Sequence, residues 1–163
     1  MKSARFVDIL RLLATQEVEF IVVGMTAGIL AGAPMTTLDI DIVHRRTSLN
    51  VDRLLVVLRQ LRAIYRHDPR RLEPTAPNLM SPGHQLFETI YGDFDCLGTI
   101  DDGKTYEDLL FSSQEIALSG SLMIRILDLS MLIEIKRRAA RPKDLAALPV
   151  LEATLEERRR IGR

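Results

Sequence analysis

Residues 38–44 read Leu-Asp-Ile-Asp-Ile-Val-His, the most informative stretch of the sequence. Its strict alternation of apolar and acidic residues predicts a β-strand, on which side chains two residues apart project from the same face. Asp39 and Asp41 therefore share a face, with Cα atoms about 7 Å apart, close enough to hold one or two hard divalent cations. A strand with one solvated face is the alternative, and the spacing alone does not choose between them.

A second strand and a third carboxylate extend this pattern. Residues 18–23 (VEFIVV) form a short apolar run that ends at a turn residue, Gly24, which predicts a buried strand followed by a short helix at 25–31. Asp95 stands in the apolar run Phe-Asp-Cys-Leu, which is typical of another strand. Three clustered acids without a cation would repel one another, so the set predicts Mg²⁺ or Mn²⁺.

The remaining pattern predicts an α+β fold with a mixed β-sheet flanked by helices, in one domain over residues 1–163. Its core spans about 18–126 and its C-terminal helical part about 128–160. Apolar spacing and end signals predict helices at 4–15, 50–64, 128–139 and 143–160, and a helical turn at 106–111. Asn50 is the expected N-cap of the second helix and Asp128 that of the third. The last helix is either continuous or broken at Pro149. Strands are predicted at 87–91 and 94–100 around a Gly92-Asp93 turn, and at 116–118 and 122–126. Four prolines make residues 65–85 a predicted long mobile loop.

Charge is unevenly distributed although the formal net charge is zero. Successive segments 1–43, 44–85, 86–120 and 121–163 carry net charges of −2, +5, −7 and +4. Such alternation suits a metal–carboxylate centre flanked by anion-binding surfaces. No apolar run approaches the ~18 residues of a membrane span and there is no leader pattern, so we expect a cytoplasmic protein without a membrane partner. The three histidines lack zinc-site spacing, and the lone Cys96 reads as a small buried residue.

These motifs resemble the DNA polymerase beta-like nucleotidyltransferase superfamily. That superfamily carries a hydrophobic residue, Gly, then Gly or Ser, a spacer, and Asp-hydrophobic-Asp-hydrophobic; here Val23, Gly24 and Met25 precede Asp39 and Asp41 by a spacer of thirteen residues. The segment 127–136 (LDLSMLIEIK) and residues 141–145 (RPKDL) are similar to a later region of minimal and abortive-infection-type nucleotidyltransferases. The resemblance covers about residues 18–150.

The resemblance implies transfer of a nucleoside monophosphate from an NTP to an acceptor hydroxyl, with Mg²⁺ or Mn²⁺ as cofactor. Asp39, Asp41 and Asp95 would be both the metal ligands and the catalytic residues, with Asp95 on the acceptor side and serving as base. The implied nucleotide-binding residues are Gly24, Met25, Thr26, Thr37, Lys136, Lys143 and Asp144. Alternatively, Lys136 is a solvated residue on its helix, and Asp144 is an acidic residue that the dipole favours at a helix N-terminus.

Three departures from the family pattern fall on the nucleotide pocket. Met25 stands where relatives prefer Gly or Ser, Met35 where many place Arg, and Ala147 where an Asp is often repeated. Because Asp39, Asp41 and Asp95 are all present despite these departures, the leading hypothesis is an active nucleotidyltransferase, and the alternative is a non-catalytic nucleotide-binding or partner-binding relative. The implied partners are the NTP, a protein or tRNA acceptor, and a cognate toxin or antitoxin protein, and a homo-oligomer is compatible with them.

Overall fold

A computed structural model describes residues 5–162, which contain seven α-helices and seven strands. The helices are α1 Phe6–Thr15, α2 Gly24–Leu30, α3 Ser48–Gln60, α4 Ala76–Met80, α5 Tyr106–Leu109, α6 Leu129–Ala139 and α7 Pro142–Arg160. The strands are β1 Phe20–Val23, β2 Asp39–His44, β3 Ile64–Tyr65, β4 His84–Thr89, β5 Gly92–Leu97, β6 Ser113–Ser119 and β7 Leu122–Leu127. The predicted α+β class is confirmed.

All seven strands form one mixed sheet in the order β3-β4-β5-β2-β1-β7-β6. Strand β2 runs antiparallel to β1 and parallel to β5, whereas β1 runs parallel to β7. The register sets Asp41 between Val23 of β1 and Asp95 of β5. The central strands therefore bring together residues that are more than fifty positions apart in sequence.

The two faces of the central sheet are chemically different because side chains alternate along β2 and β5. On one face, Ile40, Ile42, Phe94 and Cys96 are completely buried. His44 shares this face and contacts the Leu79 carbonyl oxygen of α4, which packs beside α3. The aspartates occupy the opposite face, towards α2 and α7. The apolar face thus supplies much of the core, and the acidic face is left for the site.

Residues 65–85 do not form one continuous loop, although their prolines predict a long mobile one. The segment contains the end of β3, helix α4 and the start of β4. Pro77 lies in the first turn of α4, where its missing N–H costs no helical hydrogen bond. Buried Leu79 then anchors α4 to the core. Tertiary contacts therefore order a segment whose local composition favours a loop.

Several predicted element ends are also wrong. Thr47, not Asn50, caps α3; the Thr47 hydroxyl accepts from the Asn50 N–H, while the buried Asn50 side chain bonds the backbone of Glu19 and Arg45. The β4–β5 turn lies at residues 90–91, because the Gly92-Asp93 pair already belongs to β5, which ends at Leu97. Asp128 precedes α6 but makes no side-chain capping bond.

Helix α7 runs through Pro149 without a break. Its described residues include Ala147 and Leu151, both buried against the core, which holds the helix together across the proline. None of the helices within residues 5–162 combines the length and the apolarity needed to span a bilayer.

Candidate metal and nucleotide site

Asp39, Asp41 and Asp95 converge at one end of the central strands. One carboxylate oxygen from each lies within 4.8 Å of the other two. The first two project together because they are two residues apart on β2, and the parallel register places Asp95 directly beside Asp41. Asp95 is 6% exposed, whereas Asp39 and Asp41 are partly open to solvent.

The clustered acids disturb one another's ionisation. Burial, a hydrogen bond with Asp95 and repulsion from Asp39 and Asp95 raise the pKa of Asp41 to about 8. Burial also raises the pKa of Asp95, although its hydrogen bond with Asp41 and the Arg66 guanidinium oppose that change. Burial and like charge therefore both disfavour the simultaneous ionisation of these three carboxylates.

This arrangement fits a hard divalent cation. Three carboxylates supply the oxygen ligands that Mg²⁺ and Mn²⁺ prefer, and a cation would relieve the repulsion from Asp39 and Asp95 that helps to raise the pKa of Asp41. Asp39, Asp41 and Asp95 are the residues that would hold it.

Two threonines hold Asp39 in place. The Thr37 hydroxyl donates to Asp39 Oδ1 at 3.0 Å, and the buried Thr26 hydroxyl donates to the Asp39 carbonyl oxygen at 3.0 Å. Thr26 thus ties the first turn of α2 to the start of β2, and its hydroxyl is used within the protein. Both residues belong to the predicted set, and the structure gives them contacts with the carboxylate strand.

Gly24 lies against the carboxylates. Its φ is +62°, a left-handed conformation that favours glycine, and a Cβ built on it would overlap Asp41 Oδ2. The neighbouring Met25 is partly buried and packs against the core. The turn between β1 and α2 is therefore shaped by the close approach of Asp41.

Lys136 and Asp144 form a buried ion pair between α6 and α7. Lys136 Nζ lies 3.2 Å from Asp144 Oδ1, and their side chains are 10% and 1% exposed. Asp144 also receives two hydrogen bonds from the Arg141 side chain. Burial opposes ionisation of Asp144, but the bonds from Arg141 and Lys136 outweigh it and lower its pKa. Lys136 is thus neither solvated nor unpaired.

Lys143 and Arg141 provide positive charge near the carboxylates. Lys143 is exposed at the start of α7, and its charge acts to lower the pKa of Asp41. The charge of Asp41 in turn contributes to the raised pKa of Arg141, after the hydrogen bond of Arg141 with Asp144. The N-terminal turn of α7 therefore faces the acidic site with two cations, of which only Lys143 was singled out by sequence.

Arg66 is a site residue that sequence reasoning missed. Its guanidinium lies 2.9 Å from Asp95 Oδ1 and 3.2 Å from Asp93 Oδ2, and it also donates to the Phe87 carbonyl oxygen. Its side chain is 14% exposed. No local signal marks it, because it follows a two-residue strand whose pairing only the tertiary structure creates.

No protein-family model and no curated protein matches the chain. Among solved structures it is similar to a Thermotoga maritima protein, TM1012, described as a "putative nucleotidyltransferase", with 16% identity and a TM-score of 0.55. The match covers 94% of this chain and 91% of that one. The chain therefore has a nucleotidyltransferase-like fold, as the sequence predicts.

Proposed function

We propose that this protein is a metal-dependent nucleotidyltransferase that moves a nucleoside monophosphate from an NTP to a hydroxyl on a protein or RNA acceptor. The observation that carries the proposal is the convergence of Asp39, Asp41 and Asp95 next to the Gly24 turn. The similarity to the T. maritima protein supports the same general activity.

The residues around the carboxylates divide into a nucleotide side and an acceptor side. Lys143 and Arg141 supply positive charge for the triphosphate, and the left-handed Gly24 leaves room beside Asp41. A bound Mg²⁺ or Mn²⁺ supplies charge neutralisation and Lewis acidity. Asp95, held by Arg66, is placed to take the acceptor proton as that oxygen bonds to the α-phosphorus and pyrophosphate leaves.

Lys136 has a different role in this proposal from the one that the resemblance implies. Its ammonium group is bound to buried Asp144, so it holds α6 against α7 and sets the position of Arg141 and Lys143. Lys143, rather than Lys136, then contacts phosphate.

A finer assignment rests on the motifs. The LDLSMLIEIK and RPKDL segments support a place among the minimal, abortive-infection-type enzymes and a role in a toxin–antitoxin-like pair. A cytoplasmic location, where NTPs are available, belongs to the same proposal.

The test is label transfer by the full chain. Each α-labelled NTP is incubated with Mg²⁺ and, in turn, the neighbouring gene's product and total tRNA. The Asp39→Asn plus Asp41→Asn variant should lose at least about 100-fold in rate, because it lacks about 3 kcal/mol of charge stabilisation.

Asp52→Asn is the matched control, since Asp52 is an exposed aspartate on α3. It should label the acceptor at the rate of the unaltered protein. Labelling that persists in the double variant would refute the mechanism. Absence of both NTP binding and labelling would leave the alternative of a non-catalytic binding relative.

A further inference from the structure

One face of β4 is open to solvent. His84, Leu86 and Glu88 are exposed, whereas Phe87 and Thr89, on the other face, are buried. This alternation shows that the helices cover only one side of the sheet at this strand.

The open face continues into the candidate site. In the antiparallel β4–β5 register, Leu86 lies opposite Asp95 and Glu88 lies opposite Asp93, so the members of each pair project from the same face. Leu86 is 40% exposed and is therefore an apolar contact point directly beside the buried Asp95. Gly24 lies against Asp41 instead, and the charge of Lys143 acts on Asp41, so the open face lies on the acceptor side.

The open face carries negatively charged side chains. Glu88 is exposed and the Asp93 side chain is 42% exposed. Arg66 lies beside these acidic side chains, but its guanidinium is already bound to Asp93, Asp95 and the Phe87 carbonyl oxygen. An RNA acceptor binds chiefly through unpaired cations that neutralise its phosphates, and the described residues of this face supply none.

We propose that the open face of β4 and β5, formed by His84, Leu86, Glu88 and Asp93, docks a protein acceptor whose hydroxyl side chain is flanked by apolar and basic residues. This inference rests on the proposed function and selects a protein acceptor over RNA. Leu86 contacts the apolar side chain, Glu88 and Asp93 attract the basic ones, and the hydroxyl reaches Asp95.

The test measures binding without NTP, so that it does not depend on catalysis. Short fluorescent peptides with a central Ser, Thr or Tyr are flanked either by Leu and Lys or by Leu and Glu, and a single-stranded RNA with a free 3′-hydroxyl is the third probe. Fluorescence anisotropy is measured at about 0.15 M ionic strength. The basic peptides should bind at least about tenfold more tightly than the acidic ones.

Two variants and two matched controls locate the binding surface. Glu88→Lys should lower the affinity for the basic peptide about threefold to tenfold, and Leu86→Ser should lower it about threefold. Glu156→Lys on α7 and Met123→Ser on β7 make the same chemical changes at exposed positions away from this face and should leave affinity unchanged.

Three results would overturn the inference: RNA bound more tightly than the basic peptides, no preference over the acidic peptides, or equal effects of the variants and their controls. A preference for basic peptides without any label transfer would instead contradict the proposed function alone.

Discussion

Gly24 and Asp41 are in direct contact, and each constrains the other. The glycine has a left-handed backbone, and Asp41 Oδ2 occupies the volume that any side chain at residue 24 would need. A substitution there therefore has two separable costs, backbone strain and displacement of a carboxylate.

We predict that Gly24→Ala lowers the free energy of unfolding by about 2 kcal/mol and weakens Mn²⁺ binding, because the methyl group pushes Asp41 out of the cluster. Calorimetry measures the binding and chemical denaturation the stability. Gly120→Ala is the control, since Gly120 has φ +56° but nothing within 4 Å of its Cβ position. It should cost about 1 kcal/mol and leave Mn²⁺ affinity intact. Equal Mn²⁺ affinity in both variants would contradict the contact.

Arg66 acts on Asp95 as a positioning residue. We predict that Arg66→Met slows label transfer at least about tenfold through kcat, because Asp95 loses its orienting partner, while Mn²⁺ binds at least as tightly, because a nearby positive charge is removed. Arg125→Met, which breaks an ion pair with Glu115 on the far edge of the sheet, is the comparison and should change neither quantity. Weaker Mn²⁺ binding by Arg66→Met would show that Arg66 supports the cation site itself.

At the scale of elements, the Lys136–Asp144 pair joins α6 to α7. We predict that Lys136→Met costs about 2 kcal/mol of unfolding free energy, because Asp144 stays buried with only Arg141 as partner. Adding Asp144→Leu should recover most of the loss, since no buried charge remains. Arg160→Met breaks the exposed pair with Glu157 and should cost less than about 0.5 kcal/mol. A stable Lys136→Met protein with weakened NTP binding would favour the phosphate role instead.

The turn after β5 is tied to α6 by Asp101, which pairs with Arg138 and Lys104. The hydrogen bond from Arg138, despite some burial, together with the one from Lys104, lowers the pKa of Asp101 to about 2. Because the folded value lies below the unfolded value of 3.8, this stabilisation is complete above about pH 4 and is lost as the pH falls towards 2.

We predict that Asp101→Asn is less stable than the unaltered protein at pH 6 and that this difference shrinks between pH 4 and 2. Denaturant titrations at several pH values measure it. The adjacent, exposed Asp102→Asn serves as control and should show no such pH-dependent difference. A difference independent of pH would contradict an ionic role for Asp101.

At the scale of the whole molecule, α7 packs against α2 and α6. A Cβ on Gly28 of α2 would overlap Leu151 of α7 and press on Leu132 of α6, so the three helices are in close contact. The start of α7 also brings Arg141 and Lys143, whose charges interact with that of Asp41.

We predict that a chain ending at residue 141 does not fold, because removing α7 exposes the apolar surfaces of α2 and α6. The full chain should unfold in one transition that circular dichroism and tyrosine fluorescence report at the same denaturant concentration. Limited proteolysis should not release α7 from the native protein. A truncated chain with a cooperative transition would show that 142–163 is a separate unit.

The charge blocks of the sequence meet in space rather than staying apart. The acidic segment 86–120 forms ion pairs with basic segments on both sides: Arg66 with Asp93 and Asp95, Arg45 with Glu107, and Arg138 with Asp101. The opposite charges that cancel in the formal total of zero are therefore partly paired with one another across these segments. Lys143 at the site and Glu88 on the open face have no ion-pair partner among the described residues.

The parts of the fold that sequence predicts well are those set by local pattern. The alternation in residues 38–44 requires Asp39 and Asp41 to share a face, and the apolar run before Gly24 yields β1. The segment 65–85 and the role of Asn50 are predicted poorly, because buried Leu79 and the Glu19 backbone are partners that lie far away in sequence.

The sequence by itself determined the α+β class and the shared face of Asp39 and Asp41, because strand alternation is a property of neighbouring residues. The tertiary structure was needed to bring Asp95 beside Asp41, to pair Arg66 with Asp95 and to pair Lys136 with Asp144. Strand register and helix packing join segments that are distant in sequence, so the partners of these side chains are residues that no local pattern identifies.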